Sequence, residues 1–149
     1  MAEGRDVDVS VERVIAAPLD VVAAYAADPG NAPSWYANIV SVEWRTPPPV
    51  AVGSRMDFVA RFLGRRLSYT YEVVELVPGE RLAMRTAEGP FPMETTYTWR
   101  AAGEGTLMTL RNTGRPSGFA RTAAPVMSAA MRRATTKDLE RLAGILEAR

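Results

Sequence analysis

The sequence predicts an α+β fold: a curved antiparallel sheet of seven strands wrapped around one long C-terminal helix, with two short helices after the first strand. Three observations lead to this prediction. Seven runs alternate apolar and polar residues with a period of two, which is typical of half-buried strands. Short segments of turn-forming residues connect the last six runs. Over residues 116–148 the apolar side chains then repeat with the period of a helix. This order indicates a sheet that packs one face against a helix.

The first strand and the two short helices come first in the chain. Polar residues alternate with valines from Val7 onward and Ile15 ends this strand, with a bulge expected near Arg13. A helix is predicted over 18–27. A proline is tolerated at its first position, because the N–H that proline lacks would have no partner there. An Asp-Pro-Gly-Asn sequence ends this helix, and a second short helix is predicted over 33–36.

The remaining six strands follow one another through short turns. Each run places apolar or aromatic side chains on one parity and polar ones on the other. Pro78 and Gly79 have the chemistry of a type II turn between two of the strands. The six strands are predicted at residues 40–45, 53–63, 67–77, 81–87, 93–99 and 106–113.

The C-terminal helix, predicted over 116–148, has an unusually small inward face. Pro125 is expected to kink it or to separate two consecutive helices. Charged residues share the outward side, and alanines stand where a packed core would hold leucines. The pattern therefore predicts unfilled space between sheet and helix. The inward residues are Phe119, Ala123, Met127, Ala130, Met131 and Ala134.

The composition fits one globular domain and excludes several classes of active site. The 149 residues are 47% hydrophobic and 23% charged with a net charge of +1, so no charged field indicates nucleic acid as a partner. There is no cysteine and no histidine. Disulfides, thiolate nucleophiles and Ser-His-Asp mechanisms are therefore excluded. We expect no metal and no cofactor, because only oxygen ligands remain and they do not cluster.

Residues 1–25 alternate and contain acidic positions, so neither a signal peptide nor a membrane span is expected. We expect a cytoplasmic monomer or homodimer that does not insert into membranes. The chain is expected to form a single domain over residues 1–149, with residues 1–5 as a loose tail.

A series of short motifs resembles a known family. In order, they are Val-Ile-Ala-Ala-Pro at 14–18, Val21-Val22, Asp28-Pro29, Trp35, Gly53-Ser54-Arg55, Tyr71-Glu72-Val73, Glu75, Pro78-Gly79-Glu80-Arg81-Leu82, Gly105-Thr106 and the long C-terminal helix. Their order and spacing resemble the START-like (SRPBCC) superfamily, in its bacterial polyketide cyclase/dehydrase-like branch, over nearly the whole chain. The resemblance implies the helix-grip fold, with a deep cavity that binds lipids, steroids, polyketides or other hydrophobic molecules. It carries over no catalytic residue by position.

The candidate ligand-binding residues are mainly the inward aromatic, methionine and alanine side chains. The alternative is an ordinary packed core, since apolar stripes usually only pack. Tyr69, Tyr71 and Asn112 are candidates for orienting a polar group of the ligand, unless neighbouring backbone or water satisfies them. The full set is Trp35, Phe58, Phe62, Tyr69, Tyr71, Met84, Tyr97, Trp99, Met108, Asn112, Phe119, Met127, Ala130, Met131 and Ala134.

No residue is predicted to be catalytic. Asp138 lies near the helical angle of Met127 and Met131 and could face the cavity, but the favoured interpretation is a solvated side chain that pairs with Arg141. The arginines of the strands have outward parity, and no two carboxylates have a spacing that indicates acid–base chemistry.

Two functions remain. The first is binding or carriage of a small hydrophobic molecule, polyketide-like or lipid-like, in the cavity. The second is a polyketide cyclase or dehydrase that positions a poly-keto chain and uses tyrosine or arginine as an acid. The absence of histidine and of a catalytic dyad favours the first. A weaker third possibility is a protein-interaction role for the sheet edge or the cavity mouth.

Overall fold

A seven-stranded antiparallel sheet forms the body of the protein. The computed structural model describes residues 6–62, 64–115 and 124–149. The strand order is β1-β7-β6-β5-β4-β3-β2, so only β1 leaves the sequential meander. The strands are β1 Val7–Ile15, β2 Ile39–Trp44, β3 Arg55–Phe62, β4 Arg65–Val77, β5 Arg81–Glu88, β6 Met93–Ala102 and β7 Gly105–Gly114.

Helices fill the concave side and the β1–β2 connection. They are α1 Leu19–Ala27, α2 Ala32–Trp35 and α3 Ala124–Glu147, with a short 3₁₀ turn Pro29–Asn31 between the first two. Pro125 is the second residue of α3, where a proline is tolerated. The residues before α3, including Phe119 and Ala123, lie outside the described part of the chain. Among the described helices, none is long and apolar enough to cross a membrane.

The register of the strands explains the curvature of the sheet. The pairing of β4 with β5 shifts at Thr70/Tyr71 and again at Val73/Glu75. Such shifts bend a strand and increase its twist. The bulge predicted near Arg13 is wrong, because β1 pairs with β7 without interruption from Val7 to Ile15. Arg13 keeps the inward parity of its strand and is half-buried.

The type II turn between β4 and β5 is confirmed. The N–H of Glu80 donates a hydrogen bond of 2.9 Å to the carbonyl oxygen of Val77, which closes the turn. Gly79 has a φ of 76°, the left-handed conformation that this turn needs at its third position and that glycine adopts without strain.

The helix α3 contacts β1 and both short helices, and its two halves differ in burial. In the C-terminal half, Leu139, Leu142, Ala143 and Leu146 are fully buried. The carboxylate of Glu147 accepts a hydrogen bond of 2.9 Å from the N–H of Ala16 and ties this end to the segment after β1. In the N-terminal half, Met127, Met131 and Ala134 are only half-buried.

Outward-facing charges cover the convex face of the sheet. Arg55 pairs with Glu72 at 3.0 Å, and Arg111 pairs with Asp8 at 2.7 Å. The guanidinium of Arg111 lowers the pKa of Asp8 through its hydrogen bond. Exposed pairs of this kind each contribute little to stability. Their position confirms that these arginines belong to a solvated face.

Candidate ligand-binding cavity

A cavity of about 140 Å³ lies between the concave face of the sheet and the N-terminal half of α3. Its wall is largely apolar and comes from all seven strands, from the two short helices and from α3. Ten of the predicted ligand-binding residues line it. They are Phe58, Phe62, Tyr69, Tyr71, Met84, Tyr97, Asn112, Met127, Met131 and Ala134.

Four predicted residues lie elsewhere. Trp35, Trp99 and Met108 are buried in the core cluster that includes the C-terminal half of α3. The centre of the Tyr97 ring lies 5.7 Å from that of Trp35 and 6.1 Å from that of Trp99. Both tryptophans are therefore next to a tyrosine that lines the cavity. Strand parity predicts that a side chain points inward, but not which part of the helix covers it.

Ala130 is half-buried and does not line the cavity among the described residues. The lining stripe of α3 runs through Met127, Met131, Ala134 and Asp138. At ~100° per residue, Ala130 is rotated roughly 60° from Met127, on the side away from Met131. Phe119, the fifteenth predicted residue, lies outside the described residues.

A chain of three hydrogen-bonded side chains forms one polar part of the wall. The hydroxyl oxygens of Tyr71 and Thr95 lie 2.8 Å apart. The hydroxyl of Thr95 donates to Oδ1 of Asn112 at 2.7 Å. Because its proton is used there, Thr95 accepts from Tyr71, and the amide nitrogen of Asn112 keeps two protons. Burial raises the pKa of Tyr71 to about 12.

A second polar part contains three tyrosines. The hydroxyls of Tyr36 and Tyr97 lie 2.6 Å apart. Burial raises the pKa of both tyrosines well above the ordinary value, and it does the same for Tyr69. All three therefore remain protonated donors near neutral pH. Tyr36 was not among the predicted ligand-binding residues, because it follows the shortest helix and belongs to no stripe.

The carboxylate of Asp138 is part of the cavity wall, contrary to the favoured sequence interpretation. Its residue is 3% exposed, and its Oδ1 accepts a hydrogen bond of 3.0 Å from the N–H of Ala37, just after α2. Burial raises its pKa to about 6, against the opposing effects of the Ala37 hydrogen bond and the charge of Arg141. Both residues are described, yet no ion pair joins Asp138 to Arg141.

The helical angle that Asp138 shares with Met127 and Met131 was the signal that could have placed it in the wall. Two features of the sequence favour the other interpretation: the apolar stripe moves to Leu139, Leu142 and Leu146 at this point, and Arg141 stands at i+3. In the described ranges, no group of three acidic side chains is close enough to hold a metal ion. The absence of a metal and a cofactor stays an expectation.

A family model described as polyketide cyclase / dehydrase and lipid transport matches residues 6–147. The chain belongs to this family. The match spans β1 to the end of α3, so it includes every described residue of the cavity wall. A search of curated proteins finds no match.

Solved structures resemble the whole fold of this family member. TTHA0849 from Thermus thermophilus has a TM-score of 0.83 and 23% identity, covering 95% of this chain and 97% of its own. A START superfamily protein from Mycobacterium smegmatis has a TM-score of 0.81 and 14% identity, covering 95% and 97%. The Zhui aromatase/cyclase from Streptomyces sp. R1128 has a TM-score of 0.79 and 20% identity, covering 95% and 94%. At these identities the likeness shows the fold, and the predicted helix-grip architecture is confirmed.

Proposed function

We propose that this protein binds a small, mostly apolar molecule in the cavity between the sheet and α3. The observation that carries the proposal is the unfilled space itself: about 140 Å³ bounded mainly by apolar side chains. An engineered apolar cavity of about 150 Å³ takes up benzene in another protein. The space here therefore suits a body of one aromatic ring, or two with adjustment of the flexible methionines.

The polar groups of the wall supply orientation. Thr95 and Tyr97 belong to the two separate hydrogen-bonded groups and are two residues apart on β6. At ~3.4 Å per residue, the groups are roughly 7 Å apart along that strand. A ligand with two polar substituents at this separation would contact both. The ten lining residues that the sequence predicted, together with Tyr36, Thr95 and Asp138, form the proposed binding site.

The test replaces Ala134, which lines the cavity, by phenylalanine. The added ring occupies the cavity, so stability should hold or rise while affinity for neutral one-ring and two-ring aromatic compounds falls about tenfold or more. In a fully packed core the same change would cost about 1 to 3 kcal/mol. Calorimetric titration gives the affinity, and urea unfolding gives the stability.

The matched control is Ala129→Phe, on the exposed side of the same helix. Binding by the Ala129 variant should equal that of the parent protein. If no compound of the neutral panel binds the parent saturably, or if the Ala134 variant binds as the parent does, the proposal fails.

A second candidate function is cyclisation or dehydration of a bound poly-keto chain. It is favoured by the paired hydroxyls of Tyr36 and Tyr97: one donates to the other, and the O–H proton that remains can be donated to a carbonyl oxygen. The Zhui aromatase/cyclase and the di-domain ARO/CYC StfQ of steffimycin biosynthesis share the fold. No arginine lines the described cavity wall, so tyrosine would be the acid. Product formation from a poly-keto substrate, lost in Tyr97→Phe with binding retained, would establish this function.

We further propose that residues 1–149 act as one domain, as a cytoplasmic monomer or homodimer without nucleic acid. The near-neutral charge supports the last point. Light scattering coupled to size-exclusion chromatography measures the oligomeric state, and a complex larger than two chains would contradict it.

A further inference from the structure

The charge of the cavity wall is one-sided. Among the described lining residues, Asp138 is the only carboxylate, and neither lysine nor arginine is present. The other titratable lining groups are tyrosines, whose raised pKa values keep them neutral. Any formal charge that the described part of the wall presents near neutral pH is therefore negative and comes from one residue.

The carboxylate of Asp138 has little compensation inside the protein. It is 3% exposed, and the hydrogen bond from Ala37 is the one that the structure records for it among the described residues. Arg141 influences it only at a distance. A buried carboxylate is costly unless a cation or several donors satisfy it. One oxygen remains available to a donor inside the cavity.

Aromatic rings occupy the same part of the wall. Tyr36 directly precedes Ala37, whose N–H donates to Asp138, and its hydroxyl lies 2.6 Å from that of Tyr97. Burial and, to a lesser degree, the charge of Asp138 raise the pKa of both tyrosines. The faces of aromatic rings attract cations, and more strongly where water is excluded. A carboxylate beside tyrosine rings in an apolar cavity favours an ammonium group and opposes a ligand carboxylate of the same shape.

We propose that the ligand is an organic amine: an apolar body of one or two rings that carries an ammonium group, which pairs with Asp138. This inference rests on the proposed binding function and names its ligand class. It also excludes fatty acids and other apolar carboxylates as preferred ligands, because their charge repeats that of Asp138. The cavity volume sets the size of the body, and the carboxylate sets its charge.

Three compounds of similar shape test the proposal: 2-phenylethylamine as the cation, 2-phenylethanol as the neutral donor and 3-phenylpropanoate as the anion. Near neutral pH, calorimetry should show the amine binding about tenfold or more tighter than the alcohol, because hydrogen bonds to charged groups are the stronger ones. The propanoate should bind most weakly.

Asp138→Asn removes the charge with little change of shape. Its amide oxygen can still accept the hydrogen bond from Ala37, so the contact between α3 and the end of α2 is retained. The preference for the amine over the alcohol should shrink to about twofold or less, because the variant offers neither compound a negative charge. An undiminished preference in this variant would overturn the assignment of Asp138.

A pH series on the unmodified protein provides a second test that needs no variant. The groups facing Asp138 are Tyr36 from the end of α2, Tyr97 from β6 and Arg141 from α3. Tyr36 and Tyr97 stay protonated through the pH series, because burial raises their pKa values. The ratio of the affinity for the amine to that for the alcohol should therefore fall as Asp138 is protonated near pH 6.

The outcomes separate the two proposals. If neutral aromatic compounds bind and the amine binds no better than the alcohol, the amine inference is wrong and the binding function stands. If neither the neutral panel nor the three matched compounds bind, the binding function itself fails.

Discussion

The two halves of α3 serve different purposes although they form one continuous helix. In the C-terminal half, Leu139 and Leu142 are 0% exposed and belong to the main core. In the N-terminal half, Met131 and Ala134 border the cavity and are half-buried. Leucine volume fills the space at one end, and alanine volume leaves it open at the other. One half fixes the helix to the sheet, and the other shapes the binding site.

Asp138 lies at the boundary between these halves. It precedes Leu139 in the sequence, yet it belongs to the cavity wall. The predictions below test this division, beginning with the largest expected effect.

Leu139→Ala should destabilise the protein by ~2 to 5 kcal/mol, because it opens a void where the C-terminal half of α3 packs in the core. Urea unfolding monitored by tryptophan fluorescence measures the change, since Trp35 is buried in the same cluster. A loss below about 1 kcal/mol would show that the C-terminal half is also loosely packed.

The pH dependence of stability should reveal Asp138. Its folded-state pKa of about 6 lies above the ordinary value of 3.8, so folding disfavours the ionised form. The protonated form of Asp138 therefore favours the folded state. This contribution to the free energy of unfolding is fully present below about pH 4 and is lost as the pH rises through about 6. The loss is about 3 kcal/mol.

The measurement is the unfolding free energy of the parent protein minus that of Asp138→Asn, at a series of pH values. In this difference the contributions of the other carboxylates cancel, because they titrate in both proteins. It should fall between about pH 4 and about pH 6.5. A difference that is constant across this range would place Asp138 in solvent.

Thr95→Val should cost about 1 to 2 kcal/mol, because it removes the hydroxyl that joins Tyr71 to Asn112. Thr96→Val is the control, since Thr96 faces the opposite side of the sheet and its hydroxyl has no recorded hydrogen bond among the described residues. Equal effects in the two variants, measured by thermal unfolding, would contradict the importance of this chain.

Met131→Ala should cost about 1 kcal/mol or less. Atoms that border a cavity already lack partners on one side, so their removal forfeits fewer contacts than removal of Leu139 does. Urea unfolding of both variants in one buffer gives the comparison. Equal losses would remove the distinction between the two halves of α3.

The fold was predictable because local signals agreed with one another. Alternation in the strands, Pro78-Gly79 at a turn and Pro125 in the first turn of α3 each have a local physical cause. The observed bounds of the strands and of the two short helices lie within about three residues of the predicted ones, as is usual for element ends. The C-terminal helix ends at Glu147, one residue before its predicted end, and its predicted start at residue 116 lies outside the described residues. The resemblance to the family pointed to the same architecture, which the family model then confirmed.

The cavity wall was only partly predictable, because depth along the sheet is a tertiary property. Trp99 and Met108 have the same inward parity as Tyr97 and Asn112, yet they are buried in the core and do not line the cavity. Tyr36 carried no periodic signal at all. The position of Asp138 depended on Ala37, a hydrogen-bond partner 101 residues earlier in the chain.

The pairing of β1 with β7 has a consequence for the time in which the protein folds. Val7 pairs with Gly114, and among the described strands β1 is at the edge of the sheet, with β7 as its one neighbour. During synthesis on the ribosome, β1 is the first strand to be made and β7 is the last. β1 therefore stays unpaired until β7 has been synthesised. The exposed charges of Asp8 and Glu12 discourage this waiting strand from pairing with other chains. Contacts between such distant residues form slowly, so we expect refolding in milliseconds to seconds by stopped-flow fluorescence.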